Sequence, residues 1–248
     1  MLLNLDSLVS KYNLKIKGII HVGAHVGEEV HIYKKNFGNE INIHLFEPQK
    51  EYFQILQEKF VKTKNINIYN FGCGDSKQSL QINKASNKGE SSSLLNPKLH
   101  LDLHPEVEFI GKESIQVDRL DEFKISDSNY ISIDVQGYEL KVLKGSDKTF
   151  QYLDYVYLEV NKEEVYEGCP MIWDIDKYLS NFNFLRVETK FAYDTLPWGD
   201  ALYIKRSLLT KKKIAASYIK KFIYSKKTLY KIFIFLRRKV WDIKLSFN

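Results

Sequence analysis

The stretch Ile19-Ile-His-Val-Gly-Ala-His-Val-Gly27 constrains the fold of this chain more than any other. Ile19, Ile20 and Val22 form a short apolar, β-branched run that reads as a buried strand. The run breaks at Gly23, and from Gly27 the residues Glu28-Glu-Val-His-Ile-Tyr33 carry helical spacing. Strand, glycine turn and helix start make the nucleotide-binding corner of a doubly wound α/β sheet. Absent side chains let the backbone approach a cofactor there, and free helix N–H groups meet its polar end. Gly-x-x-x-Gly falls short of the full dinucleotide fingerprint, so the turn alone does not name a ligand. The next strand adds to it: Ile41-Asn-Ile-His-Leu-Phe46 ends in Glu47-Pro48, with the carboxylate 24 residues after Gly23. An acid about 20 residues beyond such a turn is where ribose hydroxyls are held, because a carboxylate accepts from two vicinal hydroxyls.

Further strands alternate with helices along the chain. A short amphipathic helix is expected over 4–13, and Pro48 suits the first turn of a helix running to about Phe60. Strands are expected at 66–71, 129–134 and 155–160, with 184–187 and 201–204 as a closing hairpin whose connecting loop carries Pro197-Trp-Gly-Asp200. Helices are expected up to about Leu143 and around 173–179. The stretch 76–113, with three consecutive serines, His100, His104, Pro97 and Pro105, reads as an irregular insert able to cover a site. Alternating strands and helices imply a mainly parallel sheet, in which ligands collect at the carboxyl ends of the strands. His25, Glu47, Asp75, Asp134 and Glu159 all fall there. That convergence points to one cleft.

Charge divides the chain in two. Residues 205–248 hold 14 Lys or Arg and a single acid, Asp242, whereas the first 204 residues hold 23 bases and 30 acids. An acidic globular body, 1–205, therefore carries a basic tail, 206–248. The tail interleaves its charges with Tyr218, Phe222, Tyr224, Ile232-Phe-Ile-Phe-Leu236 and Trp241. That pattern suits an anionic membrane surface, with apolar side chains in the interface and cations on the headgroups. Packing on the body or on a second subunit is the alternative; nucleic acid fits poorly with an acidic body and no recognised module. No run of 18 apolar residues spans a membrane. Cys73 and Cys169 make neither a disulfide framework nor a metal-ligand spacing, and the N-terminal stretch lacks the basic region of a signal peptide. A cytoplasmic location, peripheral on the inner membrane face if the tail binds lipid, is the expectation.

Four stretches, His21-Val-Gly-Ala-His-Val-Gly27, Phe46-Glu-Pro48, Ile133-Asp-Val-Gln-Gly-Tyr-Glu139 with Leu143-Lys-Gly145, and Trp198-Gly-Asp200, resemble the FkbM family of S-adenosylmethionine-dependent methyltransferases in order and spacing. The family commonly has Asp where this chain has His21. The resemblance implies a Rossmann-like class I methyltransferase with a seven-stranded, mainly parallel sheet whose last strand runs antiparallel. It implies S-adenosylmethionine as cofactor and a hydroxyl of a sugar or glycoconjugate as acceptor. Gly23, Ala24 and Gly27 would line the cofactor, Glu47 would hold its ribose, and Asp75, by its position after the third strand, would lie near the adenine.

Because an alkyl hydroxyl is a poor nucleophile, a base is needed, and Asp134 and Glu159 are the first candidates, with His25 third. Strand-end carboxylates could instead assemble a Mg²⁺ site, although no metal-ligand spacing is present. Two rivals stay open on the residues alone. One is an NAD-dependent oxidoreductase on the same sheet. The other is a non-catalytic Rossmann-like scaffold that binds membrane or nucleic acid through the tail.

Overall fold

The computed structural model describes residues 1–194 and 196–225. Its centre is a seven-stranded sheet made of β1 (Gly18–Val22), β2 (Asn42–Phe46), β3 (Ile66–Tyr69), β7 (Tyr130–Ile133), β8 (Tyr155–Asn161), β9 (Phe184–Phe191) and β10 (Trp198–Lys205). The spatial order is β3-β2-β1-β7-β8-β10-β9. Strands β3 through β8 are parallel neighbours, and β10 runs antiparallel to both β8 and β9. The strand order reverses between β1 and β7, so their carboxyl ends open a crevice.

Both faces of the sheet are covered, which explains why the central strands are apolar without alternation. Ile20, Val22 and Phe46 enter one core with Val142, Leu143, Ile172 and Ile175 of the helices α5 (Glu139–Lys144) and α6 (Ile172–Ser180). Ile19, Ile43 and Leu45 enter the other, with Leu5 and Leu8 of α1 (Leu5–Tyr12), Val30 and Tyr33 of α2 (Val30–Phe37) and Leu56 of α3 (Lys50–Phe60). Helix α1 starts where Asn4 Oδ1 accepts from the Ser7 N–H and stops at Asn13, whose left-handed backbone ends the run.

Two expectations need correction. The stretch 76–113 is not irregular throughout. Gln78–Ala85 (β5) pairs antiparallel with Phe109–Asp118 (β6), and with Gly72–Cys73 (β4) they make a second, three-stranded sheet in the order β4-β6-β5. Leu80 and Ile82 alternate with polar residues and pack on Ile115 and Val117, the period-2 signal of a strand with one covered face. Only the span between β5 and β6, which holds the short helix α4 (His100–Leu103), lacks strand pairing along its length. Secondly, Trp198-Gly-Asp200 is not loop. These residues open β10, opposite Asn161, Val160 and Glu159 of β8, and a Cβ on Gly199 would stand 2.3 Å from the Lys190 carbonyl oxygen.

The basic tail begins as helix α7 (Lys211–Ser225), which follows β10 at the amino-terminal edge of the parallel strands, where Ile204 pairs with Tyr155. Its first two turns rest on the body. Lys213 Nζ donates to the Lys11 carbonyl (3.0 Å) and lies over the Tyr12 ring, and Ser217 Oγ donates to the Arg186 carbonyl (2.5 Å). The apolar run 232–236 lies outside the described residues.

Candidate functional site

The carboxyl ends of β1, β2, β7 and β8 form the floor of a cleft of about 710 Å³, within the range of small-molecule sites. The second sheet supplies Ile82 and Ile115 to one wall, and the span after β5 supplies Ser91, Leu94, His100, His104 and Val107.

At the end of β1 the chain must turn sharply beside its neighbours. Gly23 has φ +81°, and a Cβ there would lie 1.8 Å from the Asp134 carbonyl oxygen. Its glycine is thus demanded by the close approach of two strand ends, while its backbone also lines the cleft with Ala24. The N–H groups of Gly23 and Ala24 both donate to the Phe46 carbonyl (3.0 Å each), tying the turn to β2. Gly27 differs from the expectation that it lines a cofactor. It is absent from the cleft wall, and at φ +67° a Cβ would meet Phe60 at 2.8 Å and Leu56 at 2.9 Å. It is glycine so that the turn can pack on α3.

Glu47 is buried at the end of β2, 3% exposed, and lines the cleft. Its Oε2 accepts from the His25 N–H (2.9 Å) and its Oε1 from the Gln49 N–H (2.8 Å). Each carboxylate oxygen keeps a lone pair for a hydroxyl. Burial pushes its pKa up to about 7, against the opposing pull of those two N–H donors.

The opposite part of the floor is a carboxylate cluster wired by one glutamine. Gln136, in left-handed backbone at φ 53°, donates through Nε2 to Asp134 Oδ1 (2.7 Å) and to Glu159 Oε2 (3.1 Å). Tyr166 Oη donates to Gln136 Oε1 (2.9 Å), which fixes the amide's orientation, and Ser93 Oγ donates to the Gln136 carbonyl (2.6 Å). Asp134 is exposed along the cleft, although protein atoms crowd around its carboxyl group. Burial raises it to about 6, with the charges of Asp200 and Glu29 adding to the rise and Gln136 opposing it. Glu159, 7% exposed, is pushed well above the ordinary carboxylate range by burial first and then by Asp134, Glu139 and Asp200. Glu139 is fully buried. Its Oε1 caps the turn, accepting from the N–H groups of Gly137 (3.0 Å) and Val135 (3.3 Å), while its Oε2 has no hydrogen-bond partner. Asp200 faces Glu159 across the β8–β10 pair and accepts from Tyr157 Oη and from the Leu2 N–H.

Of the remaining residues, His21 and His25 line the cleft without joining the carboxylate cluster, and Asp75 lies outside it. The ring of His25 does not join the carboxylate cluster. Its Nε2 bonds the Lys88 carbonyl (2.8 Å) and its ring leans on Tyr52 at 4.3 Å between centroids, so it fastens the 86–92 loop to the glycine turn. Asp75 is not in the cleft wall; Lys141 Nζ holds its Oδ2 at 2.7 Å and keeps its pKa low. A place beside adenine does not follow from that position. His21, 3% exposed, is held neutral by burial, with Tyr33 Oη 3.3 Å from its Nδ1. Among the described residues no group of three or more His, Cys, Asp or Glu is placed to hold a metal ion. Sequence reasoning missed Gln136 and Tyr166. The one available signal for Gln136 was its place between a strand-end acid and Gly137, where the chain turns into α5; nothing local marked Tyr166.

The geometry suits a cofactor that carries vicinal hydroxyls and a positive centre. Glu47 offers spare acceptor capacity at one side of the cleft, and the Asp134–Gln136–Glu159 cluster concentrates negative charge at the other.

A family model described as the methyltransferase FkbM domain matches residues 21–186. The chain is similar to the 2-O-methyltransferase NoeI of Sinorhizobium fredii (strain NBRC 101917 / NGR234), 23% identical over 160 residues; the match covers 60% of this chain and 65% of that protein. It therefore spans a little less than two thirds of that relative. Among solved structures it is similar to methyltransferase FkbM from Methylobacillus flagellatus KT, with a TM-score of 0.50 and 17% identity over 76% of this chain and 43% of the other. A SAM-dependent methyltransferase from Aquifex aeolicus gives a TM-score of 0.46 and 14% identity, covering 82% and 90%. At such identities the structural likeness speaks to the fold alone.

Proposed function

The chain belongs to the FkbM methyltransferase family, and from that premise we propose that it transfers a methyl group from S-adenosylmethionine to a hydroxyl of a sugar or glycoconjugate. The observation that carries the reading is the pairing, in one cleft, of a buried carboxylate with spare acceptor lone pairs (Glu47) and a separate carboxylate tuned toward neutral pH (Asp134). The name of the NoeI relative adds that a protein sharing this domain methylates oxygen.

Bound here, S-adenosylmethionine supplies an electrophilic methyl group on a sulfonium. Glu47 would accept hydrogen bonds from the ribose hydroxyls, and the side-chain-poor Gly23-Ala24 turn would give room for close backbone approach. Most of the rate comes from alignment of methyl and acceptor oxygen, because a displacement at carbon is demanding in geometry. Asp134 Oδ2, the oxygen not engaged by Gln136, takes the acceptor's proton. A base with a pKa of about 6 is ionised at neutral pH and still basic enough to help. Glu159, raised well above the ordinary carboxylate range by burial and by Asp134, shares Gln136 with Asp134, so the pair resists carrying two negative charges.

Titration calorimetry tests this. S-adenosylhomocysteine should bind tightly and NAD should not; binding of NAD alone would turn the reading to hydride transfer, and binding of neither would leave a scaffold. Methyl transfer from labelled cofactor to a glycan panel then identifies the acceptor. For the tail the same proposal includes an anionic membrane surface as partner. Helix α7 starts at the end of the parallel strands opposite the cleft. No helix among the described residues is long and apolar enough to cross a membrane.

A further inference from the structure

The residues lining the cleft include seven carboxyl side chains and neither Lys nor Arg. Three of the acids, Glu28, Glu90 and Glu106, are exposed around the rim, while Glu47, Asp134 and Glu159 lie at the floor. Low-dielectric walls focus the field of such a cleft, so it repels anions before they make contact. A bound cofactor's single net positive charge does not balance that excess. Apart from the rim acids Glu90 and Glu106, the wall from the span after β5 presents His100 and His104, with Glu106 Oε1 3.4 Å from His104 Nδ1. His100 is 3% exposed, burial and its neighbour His104 push its pKa down to about 4, and its Nδ1 has no partner in the protein. The rings of His100 and His104 lie 5.1 Å apart, and His104 lies 6.4 Å from Trp198, which also lines the cleft. Aromatic faces of this kind accept the C–H face of a sugar ring, and their negative quadrupole favours a nearby cation over an anion.

Resting on the methyltransferase reading above, we propose that the ring entering this cleft is a neutral or amino-bearing sugar residue, and that sugars carrying phosphate, sulfate or carboxylate on that ring are excluded. The exclusion has a consequence for reaction order. A nucleotide sugar or sugar phosphate holds its anion next to the ring, so the ring becomes an acceptor only after its phosphate has left. The reaction that supplies the substrate is therefore glycosyl transfer, and methylation acts on the glycoside it produces.

The test uses the full chain saturated with S-adenosylhomocysteine, with the Trp198 indole N–H followed by NMR and assigned through Trp198→Phe. Methyl β-glucoside, glucosamine, glucuronic acid and glucose 6-phosphate are titrated separately. Methyl glucoside and glucosamine should move the signal, and the two anionic sugars should need at least ten times the concentration. Adding a rim cation with Glu90→Lys, at an exposed position, should narrow that gap several-fold, and high salt should narrow it too. An anionic sugar acting at equal or lower concentration overturns the proposal. So does a gap that neither Glu90→Lys nor salt changes, or silence of all four sugars while S-adenosylhomocysteine is bound. Failure of S-adenosylhomocysteine to bind refutes the methyltransferase reading instead.

Discussion

Glu139→Gln should make the protein more stable at alkaline pH. Glu139 is fully buried at the start of α5, and burial lifts its pKa from 4.5 to about 7, helped by the charge of Asp134 and opposed by the N–H groups of Gly137 and Val135. A carboxyl whose pKa is higher in the folded than in the unfolded chain adds stability that is whole below about pH 4.5 and is lost as pH rises through about 7. At 1.36 kcal/mol per unit the whole loss is about 3 kcal/mol, and roughly 2 kcal/mol of it falls between pH 5.5 and 8. Glutamine does not titrate, and its Oε1 can still accept from Gly137 and Val135. Urea unfolding of the two proteins at pH 5.5, 7 and 8 measures the difference. The wild type should lose about 2 kcal/mol more than the variant over that range, equivalent to roughly 4–8 °C in Tm for a chain of this size. Removing this charge also relieves Glu159, which adds in the same direction. Parallel pH profiles for the two proteins would refute the reasoning, because the burial of Glu139 would then carry no titration with it. Asp75→Asn gives the opposite control: Lys141 holds that carboxyl low, so its contribution is present at neutral pH and is lost on acidification.

Glu47→Gln should weaken binding of S-adenosylhomocysteine about tenfold to a hundredfold by calorimetry, the range for hydrogen bonds to a charged group; unchanged affinity would remove the ribose assignment. Wild-type affinity should also fall as pH drops below about 7, because the free carboxyl must lose its proton to accept two hydroxyls. Asp134→Asn should abolish turnover with little change in cofactor affinity, and wild-type turnover should rise with pH through about 6; equal losses in both would make the residue part of the binding scaffold. Gly27→Ala should cost about 2–4 kcal/mol in urea unfolding, from a strained positive φ and a clash with Phe60 and Leu56, while the folded fraction binds cofactor as wild type does. In flotation assays, full-length protein should rise with anionic vesicles and not with neutral ones, and a chain ending at 205 should stay behind; equal behaviour would assign the tail to packing alone.

The sheet was legible because its strands are either apolar throughout or closed by turn residues at their carboxyl ends. Gly23, Glu47 and Asp134 are each the first or second residue past a strand, and topology then gathers them. Glu159 was legible as an acid near such an end, although β8 continues two residues beyond it. What escaped was whatever depends on long-range contact. Gly27 looks like a cofactor glycine in sequence, and only the position of Phe60, 33 residues on, makes it a packing glycine. Asp75 lies past β3 as expected, but the chain passes first through β4 of the second sheet, and Lys141 engages the side chain. Ser114–Asp118 of β6 alternates visibly in sequence, but β5 and its pairing with β6 were hidden because the two strands are well separated along the chain and half of each is polar. Tyr166 orients Gln136 from 30 residues away, and no local pattern announces such a contact.

The cluster itself explains why a fold would retain so much uncompensated acid. Glu47, Asp134, Glu139, Glu159 and Asp200 all have pKa values raised chiefly by burial, so each weakens the empty protein when ionised. A structural role would be served better by pairing them with Lys or Arg, as Arg186 pairs with Asp176 behind the sheet. Instead the chain wires Asp134 and Glu159 to a neutral amide, which holds their geometry without supplying charge. The field left over is available to a ligand that brings its own positive centre, and binding such a ligand returns part of the stability that the empty cleft gives up. On the proposed reading, that coupling between buried acids and a cationic guest is the physical reason the acids, and not merely the glycine turn, would define what this cleft accepts.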